Sequence, residues 1–481
     1  MPLEKTPKLT VNGINAVTGT YDVPQLTAAE LARRLRRTPG ATSVAPVATD
    51  RGRRLEKRAF PLPPDIQPDD LAKAGWGIVF HSDEDRRIRR VLERLIEHRR
   101  TVVGDPARVK ELSYTADDTV ETWLSQLGVS WGNVEPTLVP YYLLFVSCPT
   151  RIPYQFAQTI DAEYCVGLLD LPDAAAYERY VDGVIAYETS APVLNRREIV
   201  YFGTKHPFDD ATILSAEYLV KPLSAGLPSR SQKPIADECG FAQRVLVAAD
   251  ANRKMLCDVL SANTNPQPAI LFTATHGMVW PSGHEQQAAG QGALLCQEWN
   301  GLGKMMPAHY LTAGDVPADA KLQGLIAFLF ACYGAGTPLE DRFAHDAGTA
   351  PPAIAPRAFA SLLPMRLLTH EAGGALACIG HIERAWGFSI VGQTNDPQLG
   401  PFRRALWRLM HGQPVGLAVQ EFNDKCATAS VQLANLLEKA YVGRPVDDAQ
   451  LTATWAERND AEGYIVIGDP AVRLRLDALQ P

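Results

Sequence analysis

Two apolar runs in this chain of 481 residues end on side chains able to do chemistry, and no other feature constrains the fold as much. Ala269-Ile-Leu-Phe-Thr-Ala-Thr-His276-Gly277 delivers a histidine. Leu325-Ile-Ala-Phe-Leu-Phe-Ala331-Cys332-Tyr333-Gly334 delivers a cysteine, 56 residues further on. Both read as strands, and the interval leaves room for a crossover helix and a loop. In an open α/β sheet, ligands and chemistry gather outside the carboxyl ends of the strands. Two neighbouring parallel strands with these tips would hold an imidazole and a thiol over one crevice. That is the minimum for attack by a thiolate with a histidine as acid–base.

The rest of the chain suits a large soluble α/β protein. Its length allows two or more domains. A hydrophobic content of 46% and a charged content of 21% are ordinary for a globular protein. The net charge of −7 gives no general argument for nucleic acid. No apolar stretch is long enough to span a bilayer, and Met1 to Lys8 lacks the apolar core of a secretory signal. The eight cysteines contain no CxxC pair, so neither a zinc site nor a redox dithiol is signalled. They read as free thiols of a reducing, cytoplasmic compartment. The histidines show no metal-ligand spacing, and no metal or cofactor is expected.

Along the chain, residues 1–70 form an extension rich in Arg, Pro and Thr, with a short helix around Thr27 to Arg37 and the basic run Arg51 to Arg58. A solvated or partly ordered arm is the plain expectation. Residues 71–240 form an N-terminal α/β stretch. Trp76 to Phe80 and Tyr141 to Val146 read as strands, and the residues after Ser82 and from Ala174 to Val184 as helices. Residues 241–481 form a second stretch. It carries strands at Val245 to Ala249, at the two opening runs, at Gly373 to Gly380 and at Tyr464 to Pro470, with helices at Lys254 to Leu260 and Leu417 to Tyr441. Strands alternating with helices indicate mostly parallel sheets. Two sheets and one duplicated unit are both open.

The paired blocks resemble the signature of the caspase-like cysteine peptidases, a hydrophobic block before His-Gly and another before Ala-Cys. Further stretches are similar to the gingipain branch: Leu143 to Pro153, Thr159-Ile-Asp161-Ala-Glu163-Tyr164, Ala186-Tyr-Glu188, Gly374 to Gly380 leading to Ala385-Trp386, and Gly468-Asp469-Pro470. The likeness runs from about Tyr141 to Arg473. It implies a caspase/gingipain-like α/β fold of two subdomains, mostly parallel sheets flanked by helices. The N-terminal subdomain would supply part of the substrate pocket.

The resemblance implies a cysteine endopeptidase. Cys332 would be the nucleophile and His276 the acid–base, with the N–H groups of Gly277 and Cys332 as oxyanion hole. Asp161, in the place of the family's pocket acid, would pair with an Arg or Lys of a protein or peptide substrate. Ile160 stands where the family has serine. Asp250 is a rival for that role. Trp386 matches a tryptophan lining the family's cleft. Intracellular members of this broad clan, including the related CHAT group, often act in bacterial defence or cell death, and the Arg51–Arg58 run would suit self-cleavage. Two other readings stay open. One is a non-catalytic scaffold in which Cys332 is a buried structural thiol, Asp161 a helix cap and Trp386 a core aromatic. The other is thiol-based acyl transfer on a non-peptide substrate.

Overall fold

The computed structural model describes residues 9, 12–37, 53, 62–190, 193–261, 267–301, 303–342, 351–391 and 397–480. Ten strands form one sheet. In chain order they are β1 (Trp76–His81), β2 (Val109–Tyr114), β3 (Tyr142–Val146), β4 (Cys165–Leu169), β5 (Asn195–Gly203), β6 (Ala242–Val247), β7 (Gln267–Ala274), β8 (Ile326–Phe330), β9 (Ala377–His381) and β10 (Tyr464–Gly468). Across the sheet they run β2-β1-β3-β4-β10-β9-β8-β7-β5-β6. β3, β8 and β10 are buried along their whole length, as expected for strands covered on both faces. The helix Val415–Tyr441 packs against β4, β10 and the neighbouring helix Asp448–Glu462. The expectation of a mostly parallel sheet flanked by helices is met.

The two α/β stretches share this one sheet instead of making two. Every neighbouring pair is parallel except β9 and β10. That junction reverses the direction of the sheet, and it does not follow chain order. β5 comes early in sequence but lies beyond β7, and β10, the last strand, sits beside β4. The reversal sets the amino ends of β10 and β4 at the same edge as the carboxyl ends of β9, β8 and β7. Tyr464 pairs with His381, and Val466 pairs with Gly167 of β4.

Two of the motifs that carried the resemblance meet in a buried ion cluster. The helix Arg86–Val103 begins at Asp85, whose carboxylate accepts from Arg87 N–H, and turns most of its arginines outward. Arg99 is the exception, with 1% of its side chain exposed. It donates to both oxygens of Glu188 at 2.7 and 2.9 Å and to Asp469 Oδ2 at 2.8 Å. Trp76 Nε1–H donates to the other Asp469 oxygen at 2.9 Å. Glu188 and Asp469 therefore tie helix ends to the sheet.

The described part of the N-terminal segment, Leu9 and residues 12–37, packs on the body of the protein. Residues 12–22 form a small hairpin: Asn15 N–H donates to Thr20 O at 2.9 Å and Asp22 N–H to Gly13 O at 3.1 Å. The helix Ala28–Arg37 follows, its start closed by reciprocal hydrogen bonds between Thr27 and Glu30. Leu9, Leu31, Ala32 and Leu35 bury themselves against Trp386, Leu433, Leu451 and Trp455. Ile14 and Ala16 join a separate cluster with Met278, Trp280 and Leu295. Apart from Arg53, the Arg51–Arg58 run lies outside the described residues.

Candidate active site

β7 and β8 are adjacent and parallel, with Ala274 paired to Phe330, so His276 and Cys332 leave the sheet side by side. The close approach is made by backbone. A Cβ at Gly277 would fall 1.8 Å from the carbonyl oxygen of Cys332, so only glycine lets these strand tips touch. After Cys332 the chain turns through Tyr333 in the left-handed region, φ 56°. Its N–H donates to Glu383 O at 2.8 Å. A non-glycine residue held there costs about 1–3 kcal/mol, and the turn sets the cysteine at the edge of the sheet.

Both ring nitrogens of His276 are engaged. Nε2 lies 2.9 Å from Asp209 Oδ2, and Nδ1 accepts from Gly13 N–H at 2.9 Å. An amide N–H can only donate, so Nδ1 carries the lone pair and Nε2 the proton. Asp209 follows β5, which lies beside β7. It also caps the next short helix, accepting from Thr212 N–H at 2.9 Å, and accepts from the hydroxyl of Tyr21. Burial works to raise the pKa of Asp209. The His276 imidazole and the hydrogen bonds outweigh it and hold the carboxyl below the usual range. Burial and then Asp209 push the Tyr21 phenol upward, which keeps it a donor. Tyr21 and Trp299 set their rings edge-on to the imidazole.

Cys332 is fully buried. Its sulfur accepts from Ala385 N–H at 3.2 Å. Burial pushes the thiol pKa well up, against the smaller lowering influence of that N–H and of Arg384. Gly13 lies directly over it: a methyl group there would sit 3.4 Å from Sγ. His276 Nδ1 and Cys332 Sγ thus converge on one backbone residue of the N-terminal hairpin.

The other expected site residues fare differently. Asp161 ends the helix Tyr154–Asp161, near the amino end of β4 and so at the same edge as Cys332, but three strands from β8. It is 5% exposed. Oδ1 accepts from Val166 N–H at 2.7 Å and Oδ2 from Asn423 Nδ2 at 2.8 Å. Its carboxylate joins a helix end to β4 and to the helix Val415–Tyr441. Asp250 is exposed beyond β6, at the far side of the sheet. Trp386 follows Ala385, whose N–H meets the Cys332 sulfur. In this state it is buried under Leu9 and the helix Ala28–Arg37, edge-on to Trp455 at 5.9 Å.

Sequence reasoning missed Asp209, Tyr21, Gly13 and Arg384. Asp209 reads locally as a helix cap, which it also is. Arg384 is buried and ion-paired to Asp22 at 2.7 Å and to Asp341 at 2.9 Å. Glu383 beside it is pushed up to about 8 by burial and by Asp341.

No family model matches the chain, and no curated protein matches it. Among solved structures it is similar to the Arg-specific cysteine proteinase gingipain R (RgpB), with 12% identity over 84% of this chain and 79% of that one, at a TM-score of 0.45. It is also similar to a structure described only as a protease, with 12% identity over 83% and 78% and a TM-score of 0.46. A third is the complex of the pro- and mature domains of Porphyromonas gingivalis RgpB, with 11% identity over 83% and 80% and a TM-score of 0.43.

Proposed function

We propose that the chain is a cysteine peptidase acting on a protein or peptide substrate, with Cys332 as nucleophile and His276 as acid–base. The observation that carries this reading is the convergence of His276 Nδ1 and Cys332 Sγ on the backbone of Gly13. The far side of the imidazole is meanwhile held by Asp209. Asp209 is the positioning residue, keeping the proton on Nε2 and the lone pair on Nδ1. When Cys332 is reachable, Nδ1 takes the thiol proton and the thiolate attacks the substrate carbonyl carbon. The N–H groups of Gly277 and Cys332 would hold the oxyanion. The C–N bond then breaks, His276 returns the proton to the leaving amine, and water hydrolyses the thioester to free the acid and the thiol.

Selection of Arg or Lys by Asp161 is not part of this reading, which rests on Cys332 and His276; each Asp161 oxygen already accepts one hydrogen bond from its own neighbours. The scaffold reading draws on one observation, the complete burial of Cys332. The two separate experimentally. Peptides with Arg, Lys, Asp, Asn or Leu at P1 are offered to wild type, Cys332→Ala and His276→Ala. Turnover that disappears in both variants supports the peptidase. Turnover that survives Cys332→Ala overturns it. So does the absence of turnover in a protein whose Cys332 reacts readily with alkylating agents.

A further inference from the structure

We propose that the groove between Gly277–Val279 and Ala385 is the peptide-binding groove of this site. A substrate lies in it as an extended strand in the register of residues 12–16, and in the resting chain the N-terminal segment is the ligand that fills it. The proposal rests on the peptidase reading and adds to it the direction, register and first occupant of the groove.

The backbone of the segment bridges both lips of the cleft. Asn12 N–H donates to Ala385 O at 3.0 Å on one side. On the other, Ile14 N–H donates to Gly277 O at 3.3 Å and Ala16 N–H to Val279 O at 2.8 Å, with Ile14 and Asn15 paired in parallel to Met278 and Val279. Main-chain pairing of this kind is how an extended peptide adds to an exposed strand. Between the lips, the nitrogen of the Asn12–Gly13 peptide bond faces His276 Nδ1 at 2.9 Å. That is where a leaving amine must sit to receive its proton.

The side chains describe the class of peptide. Asn12 is uncharged and 1% exposed. Gly13 gives the sulfur a neighbour with no side chain. Ile14 is fully buried among Met278, Trp280 and Leu295. The groove therefore suits a small polar residue before the bond, glycine after it and a β-branched apolar residue next.

The same contacts keep the site at rest. Gly13 lies over Sγ and its N–H takes the Nδ1 lone pair, so a second peptide cannot enter the groove until the segment leaves. The occupant is anchored outside the groove by Tyr21 on Asp209, by Asp22 on Arg384 and by Leu9, Leu31 and Leu35 over Trp386. Tethering keeps its local concentration high. One feature makes it displaceable. Asn12 Nδ2 is buried with no hydrogen-bond partner among the described residues, which weakens the occupied state.

The test is the rate of Cys332 alkylation by iodoacetamide, read by peptide mapping in the full-length chain. Gly13→Pro removes the N–H that His276 accepts. Its Cys332 is expected to react at least about tenfold faster than wild type, the shift that loss of about one hydrogen bond produces. Asp22→Ala, which leaves the buried apolar residues in place, is expected to accelerate the reaction less and covers the case in which Gly13→Pro does not fold. A synthetic peptide of residues 9–16 should slow the reaction of either variant again. Equal rates in wild type and both variants would overturn the proposal, as would failure of the peptide to protect a fast-reacting variant. A fast, peptide-protected thiol in a protein that hydrolyses none of the P1 peptides leaves the groove standing and removes the peptidase. Hydrolysis at one rate by wild type and both variants does the reverse.

Discussion

Asp209 Oδ2 lies 2.9 Å from Nε2 of His276, and this contact decides which imidazole nitrogen carries the lone pair. Nδ1, on the side of Cys332, is left as the acceptor. The imidazole is held in one orientation between the tip of β7 and the loop after β5.

Asp209→Asn should therefore keep the fold and lose rate. On the peptidase reading, neither the tautomer nor the imidazolium formed in the proposed turnover is supported without the carboxylate, and kcat/KM should fall by about 10²–10⁴-fold. KM should change little, because Asp209 does not touch the substrate. Kinetics on the Gly13→Pro background, compared with circular dichroism of the same variant, separate rate from folding.

Burial raises the Cys332 thiol above its free value of 9.0. The thiol form is favoured, so at any fixed pH the thiolate fraction is lower than for an exposed cysteine. Alkylation of Cys332 in wild type should keep rising with pH past that value without levelling. In Gly13→Pro the plateau should move to lower pH, since solvent reaches the sulfur. A pH–rate profile of alkylation from neutral to strongly alkaline solution checks both.

Gly277→Ala should disturb the site from its backbone. The added methyl meets the Cys332 carbonyl at 1.8 Å, and the two strand tips must part. Overpacking of this kind costs about 1–3 kcal/mol, measured as a lower urea midpoint, and activity should be lost even below the melting temperature.

Arg99 and Glu188 predict an acid-sensitive fold. Burial acts to raise the pKa of Glu188, but Arg99 and His98 outweigh it and hold it at about 2 against an ordinary 4.5. A depressed carboxylate contributes stability that is complete above its unfolded value. That contribution should be lost as pH falls from about 4.5 toward 2. Urea midpoints across that range should show the loss. Arg99→Met, which takes the guanidinium from buried Asp469 and from part-buried Glu188, should cost about 3–5 kcal/mol at neutral pH and flatten the acid limb.

Much of the sheet is legible locally because buried strands leave continuous apolar runs. Tyr142–Val146, Gln267–Ala274, Ile326–Phe330 and Tyr464–Gly468 all stand within or close to the stretches the pattern marks. The strand expected at Gly373 begins only at Ala377. Gly373 takes a φ of 106°, and a Cβ at Gly374 would fall 1.8 Å from Leu368 O, so this stretch precedes the strand. Motif spacing also misleads. Glu188 and Asp469 stand in stretches that carry the resemblance and form a structural ion cluster, while Asp209 looks like a helix cap and is also the partner of His276.

By itself the sequence determined the alternation of strands and helices, and the His-Gly and Ala-Cys tips on two buried runs. Both are local consequences of hydrophobic period and of glycine where backbones must touch. Only the tertiary structure decided that one sheet reverses direction at β9 and β10. It alone decided that Asp161 spends its carboxylate on its own neighbours, that Asp209 reaches His276, and that Gly13 lies across the thiol. Those are pairings between distant residues. A polar side chain's role depends on which donors fold around it, and a segment's place depends on which apolar faces remain for it to cover. Neither is written in the spacing of the chain.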